Sequence, residues 1–399
     1  MPHIVFAWEI GSGFGHLLPI AALGEQFIQR GYRVSAMVPV ASQGRRLLEP
    51  FGIQVIDAPV ALAPERSFPV SINYSANLLR NGYWHGHAVW QRISGWRNTL
   101  AHLQPDVLIC DHAPAALLAS RDAVYPRVAL GNGFTLPPRT TPMLSLQPWF
   151  PIPKNRLTDI DRVFLEVVDP ILSERALPPL GRVDALFDGV DRWLCIEPEL
   201  DHYPIRQDET YRGAIEPPAA LVSDAAPPWD GVEVFLYMAA NNRFLRPVLQ
   251  WLQRRKLPAL AYISGDSASL KAEYPESSQL HYLQSLVDLK QISAQCRLIV
   301  THGGTLTASQ VLKQGEKLLI CPQDLEKALL AKRLADRKLA RGLNWFVPDE
   351  PIERQLDLLN STDAGTENLD AFHRCHAQAH SSALLPALVD RVESLMAIA

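Results

Sequence analysis

Between Ile4 and Ile56 the chain switches repeatedly from one hydrophobic period to another, and this alternation limits its fold more than any other feature. Ile4-Val5-Phe6-Ala7-Trp8 is a short, continuous apolar run, the pattern of a strand covered on both faces. Gly11, Gly13 and Gly15 then form a glycine-rich turn. From Pro19 to Arg30, Ile20, Leu23 and Phe27 recur at helical spacing, and Gly31 stops the helix. Tyr32–Val38 reads as the next strand, a helix follows near Ser42–Leu48, and Ile53–Ile56 reads as a third strand. Strands and helices in alternation imply a parallel sheet with right-handed crossovers. The same logic returns at Val107–Cys110, a buried strand ending at Asp111, followed by a helix at Ala115–Arg121 and a strand at Arg127–Leu130.

A second series begins with the strand Val232–Met238. It continues through the helix Phe244–Gln253 and the strands Ala259–Ser264, Leu298–Val300 and Leu318–Ile320. Between the two series, Glu216-Pro217-Pro218 and Ala226-Pro227-Pro228 have the stiff, extended composition of a linker. At 399 residues, two domains is also the expectation from length. The expected division is an N-terminal domain 1–215, a linker 216–230, a C-terminal domain 231–378 and a C-terminal helix 379–399. That helix carries Leu384, Leu385, Leu388, Val392 and Leu395 on one face, to dock on either domain or on another subunit. Clustered prolines (Pro137, Pro138, Pro142, Pro148, Pro151, Pro153) make 135–165 a loop rather than a sheet element. Trp84, Trp90 and Trp96 lie upstream in a helical stretch, where core packing is the ordinary role and ligand stacking the alternative.

Composition narrows the function classes. Hydrophobic content of 47% and charged content of 20% are those of a soluble globular protein. A net charge of −4 shows no basic surplus for nucleic acid. Cys110, Cys195, Cys296, Cys321 and Cys375 are scattered, without metal-ligand spacing, and read as buried free thiols of a reducing compartment. The first residues lack the basic and long apolar regions of a signal peptide, and no run is long enough to span a bilayer. A cytoplasmic location is expected, with contact at a membrane surface left open.

Two motifs carry chemistry. In Leu298-Ile299-Val300-Thr301-His302-Gly303-Gly304-Thr305-Leu306-Thr307 a buried strand ends, two glycines follow, and a helix is expected from near Ala308. Glycines let a backbone approach a ligand, and a helix N-terminus offers unpaired N–H groups and a positive dipole end to an anion. Thr305 and Thr307 add hydroxyls, and His302 can donate to a diphosphate oxygen. The alternative is a helix start capped by Thr307. In the other motif, Gly11-Ser12-Gly13-Phe14-Gly15-His16-Leu17-Leu18-Pro19 joins the first strand to the first helix. The spacing is not G-x-G-x-x-G and no acidic residue ends the second strand, which argues against a nicotinamide or flavin cofactor.

The segment from Leu298 to Phe346 resembles the donor-binding region of glycosyltransferases of the UDP-glycosyltransferase-like (family 1) type. Their pattern H-x-G-x-x-S/T, an acidic residue, then an apolar strand ending in proline, reads here as His302 to Thr307, Gln310 and Leu318-Leu319-Ile320-Cys321-Pro322. Lys332-Arg333 and Arg341-Gly342-Leu343 fit the helix and glycine turn that follow in the family. Gly15-His16 with Pro19 resembles the same family, as does Tyr211-Arg212-Gly213-Ala214.

The resemblance implies an α/β protein of the GT-B class, with two Rossmann-like doubly wound domains facing each other across a cleft. It implies an inverting, metal-independent transfer of a sugar from a nucleoside diphosphate to an acceptor hydroxyl. His16 would be the general base and Asp111 its orienter, with Glu9 a second candidate carboxylate; a histidine suits that task because its pKa lies near working pH. His302, Gly303, Gly304, Thr305 and Thr307 would hold the diphosphate. Gln310 stands where the family often has a glutamate on the ribose, and Glu326-Lys327 where it has an Asp-Gln pair on the sugar. Ala239-Ala240-Asn241-Asn242 replaces a usual Gly-Ser turn. A UDP-sugar is the favoured co-substrate, a dTDP-sugar the alternative, and no separate cofactor is expected. The acceptor is unidentified, with an aromatic or lipidic molecule suggested by the tryptophans. Two other functions stay open: a nucleotide-sugar epimerase on the same architecture, and a non-catalytic nucleotide-sugar or glycan binder. Outside the family, His16 could be a helix-start residue, and Asp111 a helix N-cap or a partner of His112.

Overall fold

The computed structural model describes residues 1–59, 71–204, 206, 209–221, 231–285, 287–293, 295–347, 352–363, 365–377 and 381–398. They form two compact units. One comprises Met1–Ile196, Tyr203–Pro217 and Ser381–Ala399, the other Glu197–His202 and Pro218–His380. The expected N-terminal domain 1–215 is thus interrupted by a short segment grouped with the second unit. The part of the expected linker at 222–230 lies outside the described residues.

The first sheet contains β1 (His3–Trp8), β2 (Arg33–Val38), β3 (Gln54–Asp57), β4 (Val107–Asp111), β5 (Arg127–Gly131) and β6 (Val190–Leu194), all parallel, in the order β3-β2-β1-β4-β5-β6. The second contains β7 (Val234–Ala239), β8 (Ala259–Ser264), β9 (Leu280–Tyr282), β10 (Leu298–Thr301), β11 (Leu318–Ile320) and β12 (Arg341–Gly342), in the order β12-β11-β10-β7-β8-β9. Read within its own unit, each sheet has the same doubly wound order. The central strands are the continuous apolar runs of the sequence: β1, β4 and β10 are buried at every position. Helices on both faces exclude water from such strands, so nothing in them needs to be polar.

Four local expectations change. The first helix runs from Phe14 to Gln29, with Gly13 (φ 89°) before it and Pro19 inside it, so His16 sits in its first turn. The helix after β10 begins at Thr305 rather than near Ala308; its N-cap is Gly304, and no side chain caps it, so Thr307 is not a cap. The proline-rich loop ends at Pro153, where a helix from Lys154 to Glu174 starts. Its buried Leu157, Asp161, Phe164, Val168 and Leu172 recur at helical spacing, and burial of that stripe outweighs the turn character of the preceding prolines. Arg341-Gly342 is a strand, β12, paired to β11, and not a glycine turn.

The C-terminal helix Ser381–Ile398 buries Leu388, Val389 and Val392 in the first unit. Arg30 Nη1 donates to Asp390 at 2.6 Å and to Glu393 at 3.0 Å, and Arg391 Nε donates to Asp191 at 2.7 Å. Of the three upstream tryptophans, Trp96 is core, Trp90 is half-buried beneath Arg175, and Trp84 is exposed. Cys110, Cys296 and Cys321 are buried, but Cys195 is only partly so and Cys375 is exposed. Among the described residues no helix is long and apolar enough to cross a membrane.

Candidate functional site

In a doubly wound sheet the strand order reverses at one point, and the loops leaving the two strands there diverge to opposite faces, opening a crevice. In the first unit that point lies between β1 and β4, where Trp8 pairs with Asp111. The turn after β1 leads into the helix bearing His16, and Asp111 closes β4. The two side chains meet: His16 Nδ1 lies 2.8 Å from Asp111 Oδ2. A carboxylate oxygen accepts, so Nδ1 carries the proton and Nε2 is the basic nitrogen of the neutral ring.

Two further groups hold that ring. Trp8 stacks on it with centroids 4.8 Å apart and planes 21° apart. Gly11 adopts φ 119°, and a Cβ there would fall 2.4 Å from His16 Nε2. The glycine therefore supplies both an unusual backbone angle and the space for the imidazole. Asp111 is followed by His112, a non-glycine residue at φ 44°, whose carbonyl accepts from Ile10 N–H at 3.0 Å and ties the ends of β4 and β1.

Glu9 is not part of this pair. Its carboxylate accepts from Tyr83 Oη at 2.7 Å, Arg92 Nη1 at 3.2 Å and the backbone N–H of Ala115 at 2.8 Å. Burial raises its pKa, opposed by the Arg92 charge and by these hydrogen bonds. These bonds tie the end of β1 to the segments that carry Tyr83, Arg92 and Ala115.

In the second unit the order reverses between β7 and β10, where Tyr237 pairs with Thr301. His302 follows β10 directly. Its backbone N–H donates to the Tyr237 carbonyl at 3.2 Å, and its Nδ1 lies 3.3 Å from the same oxygen. Burial lowers the pKa of His302 to about 4, helped by the nearby Lys327 charge, and the ring is neutral. Gly303 adopts φ 95°, and a Cβ there would sit 2.6 Å from Ile320 Cγ2 and 3.3 Å from Lys327 Cβ. Gly304, the N-cap of the Thr305–Lys313 helix, lies between His302 and Thr307: a Cβ on it would be 3.7 Å from Thr307 Oγ1 and 3.8 Å from His302 Nε2.

Lys327 reaches this turn from the first turn of the Leu325–Asp336 helix. Asp324, the cap of that helix, accepts from Lys327 N–H at 3.0 Å and from its Nζ at 2.5 Å. Burial pulls the lysine pKa down, but Asp324 and Glu326 outweigh it and leave the ammonium above its usual value. His302, Gly303, Gly304, Thr307 and Lys327 are thus gathered at one helix start, with Thr305 as the first helical residue. Gln310 is half-buried a turn further on, and Glu326 is half-buried beside Lys327. In place of a Gly-Ser turn, Asn242 closes the loop after β7, donating from Nδ2 to the Cys321 carbonyl at 2.8 Å and accepting from Phe244 N–H at 2.9 Å.

The sequence reading missed three participants. Asp324 had a signal, an aspartate just before an apolar helical stripe, which marks an N-cap. Trp8 looked like an ordinary strand residue. Tyr237 acts through its carbonyl, which no side-chain pattern announces.

No protein-family model matches the chain, and no curated protein matches it. Solved structures do match, over nearly their full length. The calicheamicin glycosyltransferase CalG4 aligns at a TM-score of 0.68 and 19% identity, covering 99% of this chain and 98% of that one. The glycosyltransferase VinC, solved in complex with dTDP, aligns at 0.67 and 16% identity and covers both chains fully, 100% of each. Spinosyn rhamnosyltransferase SpnG, solved with spinosyn aglycone, aligns at 0.58 and 16% identity, covering 96% of this chain and 99% of that one. With its two six-stranded Rossmann-like units, this chain has the GT-B fold of these glycosyltransferases.

Proposed function

We propose that the protein transfers a sugar, with inversion, from a nucleoside diphosphate to an acceptor hydroxyl. The observation that carries this reading is the His16–Asp111 pair, 2.8 Å apart at the strand-order reversal of the first unit. His16 Nε2 takes the proton of the acceptor hydroxyl as that oxygen attacks the anomeric carbon. The bond from that carbon to the diphosphate breaks on the opposite side, which inverts the centre. Asp111 keeps Nδ1 protonated and stabilises the imidazolium that forms, as a carboxylate does for a catalytic histidine.

The leaving diphosphate needs its growing charge met. The Thr305–Lys313 helix starts beside His302, Thr307 and Lys327, and the backbone donors and positive dipole end of its first turn can meet that charge. Fixed donors and one ammonium can take the place of a divalent cation, which supports a metal-independent reaction. Either a uridine or a thymidine diphosphate sugar suits this set, and the dTDP bound to VinC supports the second. The exposed rings of Trp84 and Phe150, 42% and 51% accessible, support an apolar acceptor, as does the aglycone in the SpnG structure.

The test is thermal stabilisation by UDP, dTDP and GDP, each with Mg²⁺ and with EDTA, followed by nucleotide release from the matching sugar donor. Stabilisation that survives EDTA, with release that depends on an acceptor, is expected. Release without acceptor would instead point to the epimerase, and binding without release to a non-catalytic protein. Stabilisation by none of the three would remove the pocket assignment.

A further inference from the structure

The two histidines at the strand-order reversals both hold Nδ1 against a protein oxygen but differ in which oxygen it is. His302 Nδ1 faces a carbonyl, an oxygen that only accepts, so Nδ1 bears the proton. The neutral ring then has a lone pair on Nε2, on the side of Gly304 and the helix start. A phosphate oxygen is also an acceptor, and two acceptors repel. If a diphosphate occupies this helix start, as the proposed function requires, Nε2 must become a donor.

We propose that His302 takes up one proton from solution when a nucleoside diphosphate binds, turning Nε2 from an acceptor into a donor. The groups around the ring account for both states. Behind it is the uncharged Tyr237 carbonyl on β7. Beside it, from the Leu325–Asp336 helix and its cap, stand the Lys327 ammonium and the Asp324 and Glu326 carboxylates. Its own turn contributes only the uncharged Gly303, Gly304, Thr305 and Thr307. Without ligand, burial and Lys327 keep the ring neutral. A bound diphosphate adds negative charge larger than that of one ammonium, and the balance reverses. Protonated, the ring satisfies both of its N–H groups, one on Tyr237 and one on the ligand. A glutamine at this position would donate at any pH, whereas the histidine couples binding to proton uptake.

The test is calorimetric titration of the full chain with dTDP and with UDP at pH 8, in two buffers of different ionisation enthalpy. At that pH the terminal phosphate, with a pKa of about 6, has already lost its proton. The expected result is uptake of close to one proton per nucleotide bound, with affinity falling by up to tenfold per unit from pH 7 to 8.5. In His302→Gln the uptake should vanish and the affinity become flat with pH. Should that variant not fold, the uptake and pH slope of the native chain decide the matter. Nucleotide binding without proton uptake would overturn the proposal while leaving the proposed function intact. Failure to bind either nucleotide would overturn both.

Discussion

The two sheets have one strand order and each has a histidine at its reversal, His16 after the first strand of its unit and His302 after the fourth, yet they prepare it for opposite tasks. His16 has a carboxylate on Nδ1 and an aromatic plane against its face. His302 has a carbonyl on Nδ1 and an ammonium for a neighbour. Gaining a proton is favoured by the first environment and opposed by the second. In the functions proposed above, the same residue type acts as a base in one unit and as a neutral, ligand-responsive group in the other. Strand order fixes where a site can lie; the second residue behind each ring decides what it can do.

The strongest way to break this comparison is to remove His16. If it is the base, His16→Ala should lower kcat by roughly 10³-fold, about 4 kcal/mol, within the range for general-base loss. Nucleotide affinity, measured by calorimetry, should stay within about threefold; an equal loss in both would sink the assignment.

Next is the pH response of His302. Its pKa is about 4 in the folded protein and near 6.5 when unfolded. Between those values the unfolded chain binds a proton that the native chain refuses, so native stability falls as pH drops from 6.5 toward 4. The full loss is about 3 kcal/mol by the 1.36 kcal/mol per unit rule. Melting temperatures from pH 7 to 4.5 should therefore drop less in His302→Gln than in the native chain, and parallel curves would argue against a buried neutral imidazole.

Asp111→Asn tests the other ring. An amide in place of the carboxylate can turn the ring to the wrong tautomer and no longer stabilises the imidazolium. A loss in kcat of about 10²-fold is expected, with the melting temperature little changed. Activity within a few-fold of native would mean that Asp111 does not orient His16.

The smallest effects separate the two glycines. Gly303→Ala places a methyl 2.6 Å from Ile320 at φ 95°, against a packed core, and should cost about 1–3 kcal/mol of stability in denaturant titration. Gly11→Ala meets the end of the His16 side chain, which can swing away, so it should cost about 1 kcal/mol for its backbone angle. Its main effect should instead be on turnover, because the ring leaves Asp111. If both variants lost only stability, the close approach of Gly11 to His16 would have no functional meaning.

What could be read from the sequence follows burial. The runs at β1, β2, β4, β5, β7, β8, β10 and β11 were legible because strands inside a covered parallel sheet are mostly apolar, Ser35 in β2 being an exception. Of the four edge strands, only β3 was found; β6, β9 and β12 were missed. An edge strand is paired on one side only and tolerates polar residues, as in Val190-Asp191-Arg192 of β6 and Arg341-Gly342 of β12. The candidate sites were legible for a related reason. The turns after β1 and β10 need glycine to bring a backbone or a ring close, and glycines at strand ends stand out.

The sequence by itself thus determined the doubly wound class of both units and the positions of the two histidines. Local periodicity and turn chemistry encode these, because each depends on neighbours in the chain. The family resemblance already pointed to Asp111, 95 residues away, as the partner of His16, and the pair is present. Only the tertiary structure put the Tyr237 carbonyl, 65 residues away, behind His302. It also sent Glu9 to Arg92 and Tyr83 instead of to His16, and grouped the helix Ser381–Ile398 with the N-terminal unit. These outcomes depend on strand order and on which side chains share a buried space. No local pattern carries that information, because the partners meet only after the sheets have formed.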